Sequence, residues 1–380
     1  MSKFELSLSS NYVANWTIIE AVREFFQNAL DQQTQEEHNE MFFDYDESTE
    51  TLSIGNKSSV LEARTLLMGC SSKTNDANTI GQFGEGYKVA TLVALREGKS
   101  VVFYNYGKKE IWKPRMVKSR KYGADVLTFF TESFVWKKAP SNNLIITIDN
   151  ISKDEYQEIV ETNLHLNPPT EVLKTSRGEI ILDEDMKGKV FVNGLFVNSY
   201  EEMHFGYNIL PKYIKLDRDR RAVNGFDLHF QSSKMWASTE DKRVAEYIKK
   251  GYADVEYITQ QYEYDVHRSV KEQAYQDFKE EYGEKAVPVS NQTELEAVQQ
   301  SNKELKPVVV NSSLQKVIET APTYKQPEAQ SLVLSMEDKL CLWMIPLRDK
   351  LTDEEIEAFL EIIDRTEEDL TPVEEEEDNE

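Results

Sequence analysis

The glycine-punctuated run IGQFGEGYKVATLVAL, residues 80–95, constrains this chain more than any other segment. Gly81, Gly84 and Gly86 stand directly before an apolar stretch that reads as a helix from about Tyr87 to Arg96. Glycines without a Cβ let backbone N–H groups come close to an anion, and a helix N-terminus behind them favours negative charge. Lys73 in the preceding loop and Lys88 in the first helical turn add cations. Taken alone, such a run is more often a plain structural turn. Two known phosphate loops do not fit it: the Gly-Lys-Ser/Thr ending of a P-loop is missing, and so is the Rossmann order of strand, GxGxxG and helix.

A second constraint lies upstream. Thr17 and Glu20 have capping-box spacing and predict a helix start near Thr17. Ile18, Ile19, Val22, Phe25, Phe26, Ala29 and Leu30 give that helix a broad apolar stripe. Glu24, Asn28 and Asp31, spaced i, i+4, i+7, fall within about 60° of one another on another face, with Glu20 on the same stripe. Carboxylate and carboxamide oxygens grouped in this way suit a hard cation such as Mg²⁺, and a carboxylate among them can orient a water as general base. In isolation the same face is ordinary for a solvated helix.

Around these two helices the alternation predicts strands at Phe4–Leu8, Met41–Tyr45, Thr51–Ile54, Ser100–Tyr106, Ile111–Met116, Asp125–Phe130 and Leu144–Ile148, with a further helix over Val60–Met68. Two helices among several strands give one α+β layer of about 150 residues. The next region holds a helix near Lys153–Leu164 and the hairpin KVFVNGLFVNS, turned at Asn193-Gly194. From Thr239 to Tyr282 the pattern is helical. AVPV, ELEAVQQSNKEL, PVVV and LQKVIETA then alternate as strand, helix, strand, helix. The expected segments are 1–151, 152–235, 236–325, and 326–380 as linker, short helices and acidic tail.

Taken in chain order, four segments resemble the motifs of the GHKL superfamily, whose Bergerat ATP-binding fold is shared by gyrase B, MutL, heat-shock chaperones and sensor histidine kinases. EFFQNALD (residues 24–31) resembles the N-box, LSIGNKSS (52–59) the G1 box, LLMGCSSK (66–73) the lid, and IGQFGEGYKVA (80–90) the G2 box. The overall look is similar to stand-alone GHKL-like ATPases of bacteriophages. The resemblance implies a two-layer Bergerat-type α/β sandwich, a transducer-like α/β domain, then a helical and small α/β C-terminal region. It implies ATP and Mg²⁺ as cofactors and an ATPase cycling by lid closure or dimerisation.

Residue by residue, the resemblance makes Glu24 the carboxylate that polarises the attacking water, Asn28 the Mg²⁺ ligand and Asp31 the last acidic N-box position. Gly69, Ser71, Ser72 and Lys73 fall in the lid, and Gly81, Gln82, Phe83, Gly84 and Gly86 in the phosphate loop, with Lys88 behind them. Thr147 matches a threonine at the floor of the adenine pocket. Arg218 and Arg220, with Arg221 and Lys215 beside them, are the basic residues that would sense the γ-phosphate. Asn56 stands where the family carries an adenine-reading Asp, and Ser58 and Val60 replace the glycines after it. An Asn carbonyl still accepts from the adenine amino group, without charge.

Composition bounds the partners. The net charge of −24 is concentrated at one end: residues 353–380 hold 15 Asp and Glu against Arg365 alone, leaving −10 for the other 352 residues. Lys108–Lys121 carries seven Lys and Arg against Glu110, with Trp112 and Tyr122 placed to stack on bases if this run meets nucleic acid. Cys70 and Cys341 are too few and too far apart for a disulfide framework or a zinc site. No apolar run of about 18 residues occurs and no signal peptide is visible, so a cytoplasmic address is expected, that of the host if phage-encoded. The expected partners are ATP, a homodimer formed on ATP binding, and a client left open between nucleic acid and a host protein. Two rival functions stay open: a nucleotide sensor that does not hydrolyse, and an interaction protein that blocks a host factor.

Overall fold

The computed structural model describes residues 2–36, 38–67, 86–134, 143–216, 224–260 and 265–325, together with 350–352, 355, 356, 358 and 359. They fall into two compact units, Met1–Val270 and Lys271–Glu380.

The first unit opens with β1 (Ser2–Ser9) and α1 (Ile18–Gln35), followed by β2 (Met41–Asp46), β3 (Thr51–Asn56), α2 (Gly86–Arg96), β4 (Ser100–Asn105), β5 (Glu110–Lys118), β6 (Asp125–Ser133) and β7 (Leu144–Asp149). The seven strands form one sheet in the order β1-β6-β5-β4-β7-β3-β2, and every pairing is antiparallel. Alternate residues of each strand, such as Leu52, Ile54, Phe103, Trp112, Phe129 and Ile148, meet Ala21, Val22 and Phe25 of α1 and Val89, Leu92 and Val93 of α2 in one core. Full burial of a side chain of this size contributes roughly 1.5–3 kcal/mol, so the helices are held mainly by the face they bury.

Local chemistry sets the ends of α1 and α2. The capping box at Thr17 is formed: its hydroxyl accepts from the Ile19 backbone N–H, and the Glu20 carboxylate accepts from the Thr17 N–H at 2.7 Å. At the far end of α2 the Arg96 guanidinium collects the carbonyls of Ser10, Tyr12, Val13 and Trp16. It thereby holds a turn in which Val13 sits at φ 46°, a conformation unfavourable for a β-branched residue.

The expected helix over Val60–Met68 is a correction. Only Ala63–Leu66 turn, as a single 3₁₀ turn, and Met68 lies outside the described residues. The buried side chain of Asn105 takes both backbone groups of Leu61, accepting its N–H at 3.3 Å and donating to its carbonyl at 2.7 Å. Those groups are then unavailable to an α-helix.

The rest of the first unit comprises α3 (Lys153–Glu161), β8 (Val172–Thr175), β9 (Gly178–Ile181), β10 (Lys189–Val192), β11 (Leu195–Ser199), β12 (Gly206–Ile209), α4 (Gly225–Ala237) and α5 (Val244–Lys250). The strands form a five-stranded sheet, β11-β10-β12-β9-β8, in which β10 and β12 run parallel. Asn193 and Gly194, at φ 51° and 78°, make the expected β10–β11 turn. Beneath this sheet the Tyr207 hydroxyl donates to the buried Asp254 carboxylate at 2.5 Å and accepts from Trp236 Nε1 at 2.9 Å.

The second unit holds most of α6 (Arg268–Tyr282), then β13 (Ala286–Val289), α7 (Gln292–Ser301), β14 (Lys306–Val309) and α8 (Ser312–Glu319). The two strands pair in parallel, as their alternation with helices requires. The molecule is thus an α+β protein built largely on antiparallel sheet.

One ion pair ties α3 to the first sheet. Lys99 Nζ lies 2.7 Å from both Glu155 carboxylate oxygens and 2.7 Å from the Asn150 carbonyl. Partial burial pushes the Glu155 carboxyl up, but hydrogen bonds from Lys99 and Ser152 outweigh it and hold the group below the usual glutamate range. A depressed folded-state pKa stabilises above the unfolded value, about 4.3, and the contribution is lost as pH falls through the folded value. Lys99→Met should therefore melt below wild type at pH 7, with the gap closing below about pH 4. Thermal denaturation followed by circular dichroism from pH 3 to 8 measures this; a pH-independent gap would contradict the linkage.

Candidate functional site

The two carboxylates Glu24 and Asp31 on the acid-amide face of α1 are buried, while Asn28 and Glu20 are half-buried. Glu24 is 1% and Asp31 2% exposed, against a protein interior where an uncompensated carboxylate costs several kcal/mol. Compensation comes from two sides. Arg23 Nη2 lies 3.7 Å from Glu24 Oε1, and Arg23 Nη1 donates to the Phe196 carbonyl at 3.3 Å, with the guanidinium over the Trp16 ring. From the other side comes α2. A Cβ built on Gly86, its first residue, would stand 2.6 Å from Glu24 Oε2 and 3.3 Å from Asn28 Nδ2. A larger residue would have to displace the Glu24 carboxylate, and the approach that glycine permits sets the positive end of the α2 dipole against it. The fold thus joins the first helix's polar face to the helix that follows the glycine run.

Asn28 donates its Nδ2 back to the Glu24 carbonyl at 2.7 Å, which leaves Oδ1 as its acceptor atom. A carboxylate and a side-chain amide on one helix face, close to the start of a second helix, offer oxygens of the kind that Mg²⁺ with a phosphate ester accepts, since the metal takes one or two protein oxygens and completes its shell elsewhere. Among the described residues no three His, Cys, Asp or Glu side chains converge as a metal cage.

Asn56 reaches the same helix from β3. Its Nδ2 donates to the Ala29 carbonyl at 2.9 Å and to the Asn39 carbonyl at 3.2 Å. Lys88 is fully buried rather than facing solvent, with Nζ donating to the Leu67 carbonyl at 2.6 Å. Beside it the Tyr87 hydroxyl meets Thr65 Oγ1 at 2.9 Å, and burial pushes its pKa up. Glu24, Asn28, Asn56 and Gly86 are therefore gathered on or against α1, with Asp31 one turn further along that helix.

Two expectations are corrected. Thr147 pairs with Ser53 and Val102, on the sheet face opposite the one where Ile146 and Ile148 meet the helices. It does not join the α1 cluster. Trp112 is buried against Phe129, with Nε1 donating to Glu110 at 2.9 Å, so it cannot stack on bases. Within the basic run Lys108 pairs with Glu62 and Lys113 with Glu132, at 2.7 and 3.2 Å. Gly69, Ser71, Ser72, Lys73, Gly81, Gln82, Phe83 and Gly84 lie outside the described residues, as do Arg218, Arg220 and Arg221; Lys215 is exposed.

One residue escaped the sequence reading. Asn39, 1% exposed, donates to Ser59 Oγ at 2.7 Å and accepts from the Ser58 N–H at 2.9 Å, while its carbonyl holds Asn56. In sequence it is one polar residue in the loop after a helix, and nothing there signals burial.

A family model described as the Mycoplasma pneumoniae MPN635 N-terminal domain matches residues 154–242, the stretch from the start of α3 past the end of α4. A Mycoplasma pneumoniae protein carrying the description "Uncharacterized protein" is 24% identical over 231 residues, which is 59% of this chain and 92% of that protein. Among solved structures, the ATPase region of Saccharomyces cerevisiae topoisomerase II bound to ICRF-187 (dexrazoxane) is similar at a TM-score of 0.38 and 10% identity, over 54% of this chain and 77% of that one. A second structure of that region scores 0.33 at 12% identity, over 54% and 76%. Likenesses of this size leave the chemistry to the chain's own residues. No helix among the described residues is long and apolar enough to cross a membrane.

Gly86→Ala tests the junction. Alanine favours a helix over glycine by up to about 1 kcal/mol, so a purely structural Gly86 predicts a raised melting temperature. Contact of the new methyl with Glu24 predicts instead no gain in stability, and about a tenfold loss of affinity for a non-hydrolysable ATP analogue with Mg²⁺. Calorimetric titration beside a thermal melt reads both. A more stable variant with unchanged binding would separate Gly86 from the site.

Proposed function

We propose that this protein binds Mg-ATP where the N-terminus of α2 meets the polar face of α1, and hydrolyses it as a GHKL-type ATPase. The observation that carries the reading is the burial of Glu24 against Gly86 and beside Asn28. A carboxylate held in the interior, next to a helix N-terminus and a side-chain amide, is costly for stability alone and useful for phosphate chemistry. The four motif segments in family order support the same conclusion.

In this reading Glu24 accepts a proton from, and orients, the water that attacks the terminal phosphate. Asn28 Oδ1 and the Asp31 end of the face hold the cation side. The N–H groups ahead of α2, in the Gly81–Gly86 run with Lys73, receive phosphate oxygens. Bound Mg²⁺ supplies charge neutralisation across those oxygens. Asn56 Oδ1 accepts from the adenine amino group. Residues 1–151 form the nucleotide-binding segment and 152–235 a transducer-like one, with Arg218 or Arg220 meeting the γ-phosphate. Closure or dimerisation on ATP binding acts on a macromolecular client.

A sensor that binds without turnover is the second reading, favoured by the neutral Asn56 in the base-reading position. Turnover separates the two. Glu24→Ala should lose about 10²–10⁴-fold in rate at millimolar ATP while still binding nucleotide, because Asn28 and the glycine run are untouched. Asn28→Ala should weaken calorimetric binding of the analogue with Mg²⁺. Equal turnover by wild type and Glu24→Ala in contaminant-free preparations would move the sensor to first place; an absence of nucleotide binding in wild type would leave an interaction protein.

A further inference from the structure

The base end of this site is built from amides that the chain's own carbonyls hold in one orientation. Asn56 Nδ2 has two acceptors, the carbonyls of Ala29 on α1 and Asn39 on the loop after it, at 2.9 and 3.2 Å. An amide nitrogen carries two donors and its oxygen none, so two carbonyls on one side fix which atom faces them. Asn56 Oδ1 is left as the free acceptor. Asn39 secures the arrangement with its whole polar inventory: its N–H donates to the Glu36 carbonyl at 2.7 Å, its carbonyl takes Asn56, its Oδ1 takes the Ser58 N–H and its Nδ2 donates to Ser59. Asn39 and Asn56 are 1% and 3% exposed.

We infer that Asn39 is a positioning residue that locks Asn56 as a neutral, acceptor-only reader of a 6-amino purine, and that a carboxylate at position 56 is incompatible with this chain. The inference rests on the nucleotide reading of the site. An Asp at position 56 would lose two hydrogen bonds and set an anionic oxygen about 3 Å from two carbonyl oxygens. Burial and those dipoles both disfavour its charged form. Restoring the residue that the GHKL resemblance calls for is therefore expected to damage the site rather than repair it.

The lock predicts selectivity as well as affinity. With Oδ1 presented, a base carrying an amino group at C6 is bound and one carrying a carbonyl there meets oxygen against oxygen. Were the amide free to turn over, either base would find a complementary atom.

The experiment uses the full chain and four proteins: wild type, Asn56→Asp, Asn39→Ala and Asn39→Asp. Each is titrated calorimetrically with the non-hydrolysable analogues of ATP and of inosine triphosphate, with Mg²⁺, and melted from pH 4 to 8. Wild type should prefer the adenine analogue by about tenfold or more. Asn56→Asp should bind it at least about tenfold more weakly. That variant should also melt below wild type at pH 7 and recover as pH falls, because a carboxyl with a raised folded pKa destabilises above that value and not below the ordinary one. Asn39→Ala should bring the adenine-to-hypoxanthine ratio towards one. Asn39→Asp, which keeps the acceptor for Ser58 and the main-chain carbonyl, should retain it. A merely structural Asn39 would weaken both ligands alike and leave the ratio unchanged, which overturns the positioning role. An Asn56→Asp protein that binds the adenine analogue as tightly as wild type and melts with it at every pH overturns the lock. If wild type binds neither analogue the nucleotide reading fails, and the pH dependence of the Asn56→Asp melt then decides the lock alone.

Discussion

Placing the carboxylate of Glu24 inside the protein, against the first residue of α2, is the arrangement on which the first unit turns. It is accompanied by a residue without a Cβ at position 86, a cation within reach at Arg23, and a firmly anchored helix start. The capping box at Thr17 and the four carbonyls that Arg96 gathers just before it fix the start of α1. The core beneath α1 and α2 then holds them at the separation that this contact needs. Buried ionic groups rarely raise stability over an apolar alternative.

The same helix is the wall between the seven-stranded sheet and the strands after α3. One position before Glu24, Arg23 holds the Phe196 carbonyl of β11. Two positions after it, Phe26 lies between Phe43 of β2, at 5.5 Å, and His165, at 5.7 Å. His165 is in turn bound to the Asn193 carbonyl at the β10–β11 turn, where a side chain on Gly194 would collide with the ring. Consecutive helical residues point about 100° apart, so one turn of α1 can present its carboxylate to α2 and its neighbours to the second sheet. A shift of this turn is felt on both sides because the contacts are direct.

Much of this was legible in the sequence where a local rule acts alone. The capping box, the strand alternation, the Asn193-Gly194 turn and the parallel β13–β14 pair all rest on chemistry within a few residues or on one period. The shared face of Glu24, Asn28 and Asp31 followed from helical geometry, but whether water or protein covered it did not. That answer came from Gly86, more than fifty positions later in the chain. The failure at Val60–Met68 has the same origin. Its composition permits a helix, and the competitor is the side chain of Asn105, brought in by β4.

Thr147 and Trp112 show a different limit. A period of two divides a strand into two faces without saying which one meets the helices. In LIITI the isoleucines at 146 and 148 and the threonine at 147 alternate, and the sheet buries the isoleucines under α1 and α2. The hydrophobic side wins because it is the only one that gains by losing water. Trp112 follows the same rule: in a run of basic residues it is the large apolar side chain, and β5 turns it inward while Lys113 and Arg115 stay nearer the solvent. A polar residue read as functional from sequence must therefore be weighed against its strand neighbours. Asn56 differs from Thr147: it shares its face with Leu52 and Ile54 and still finds two carbonyls to bond. A polar side chain is tolerated on the buried face of a strand when its hydrogen bonds are met there, and Asn56 meets its donors with main-chain carbonyls that the sequence around it does not announce.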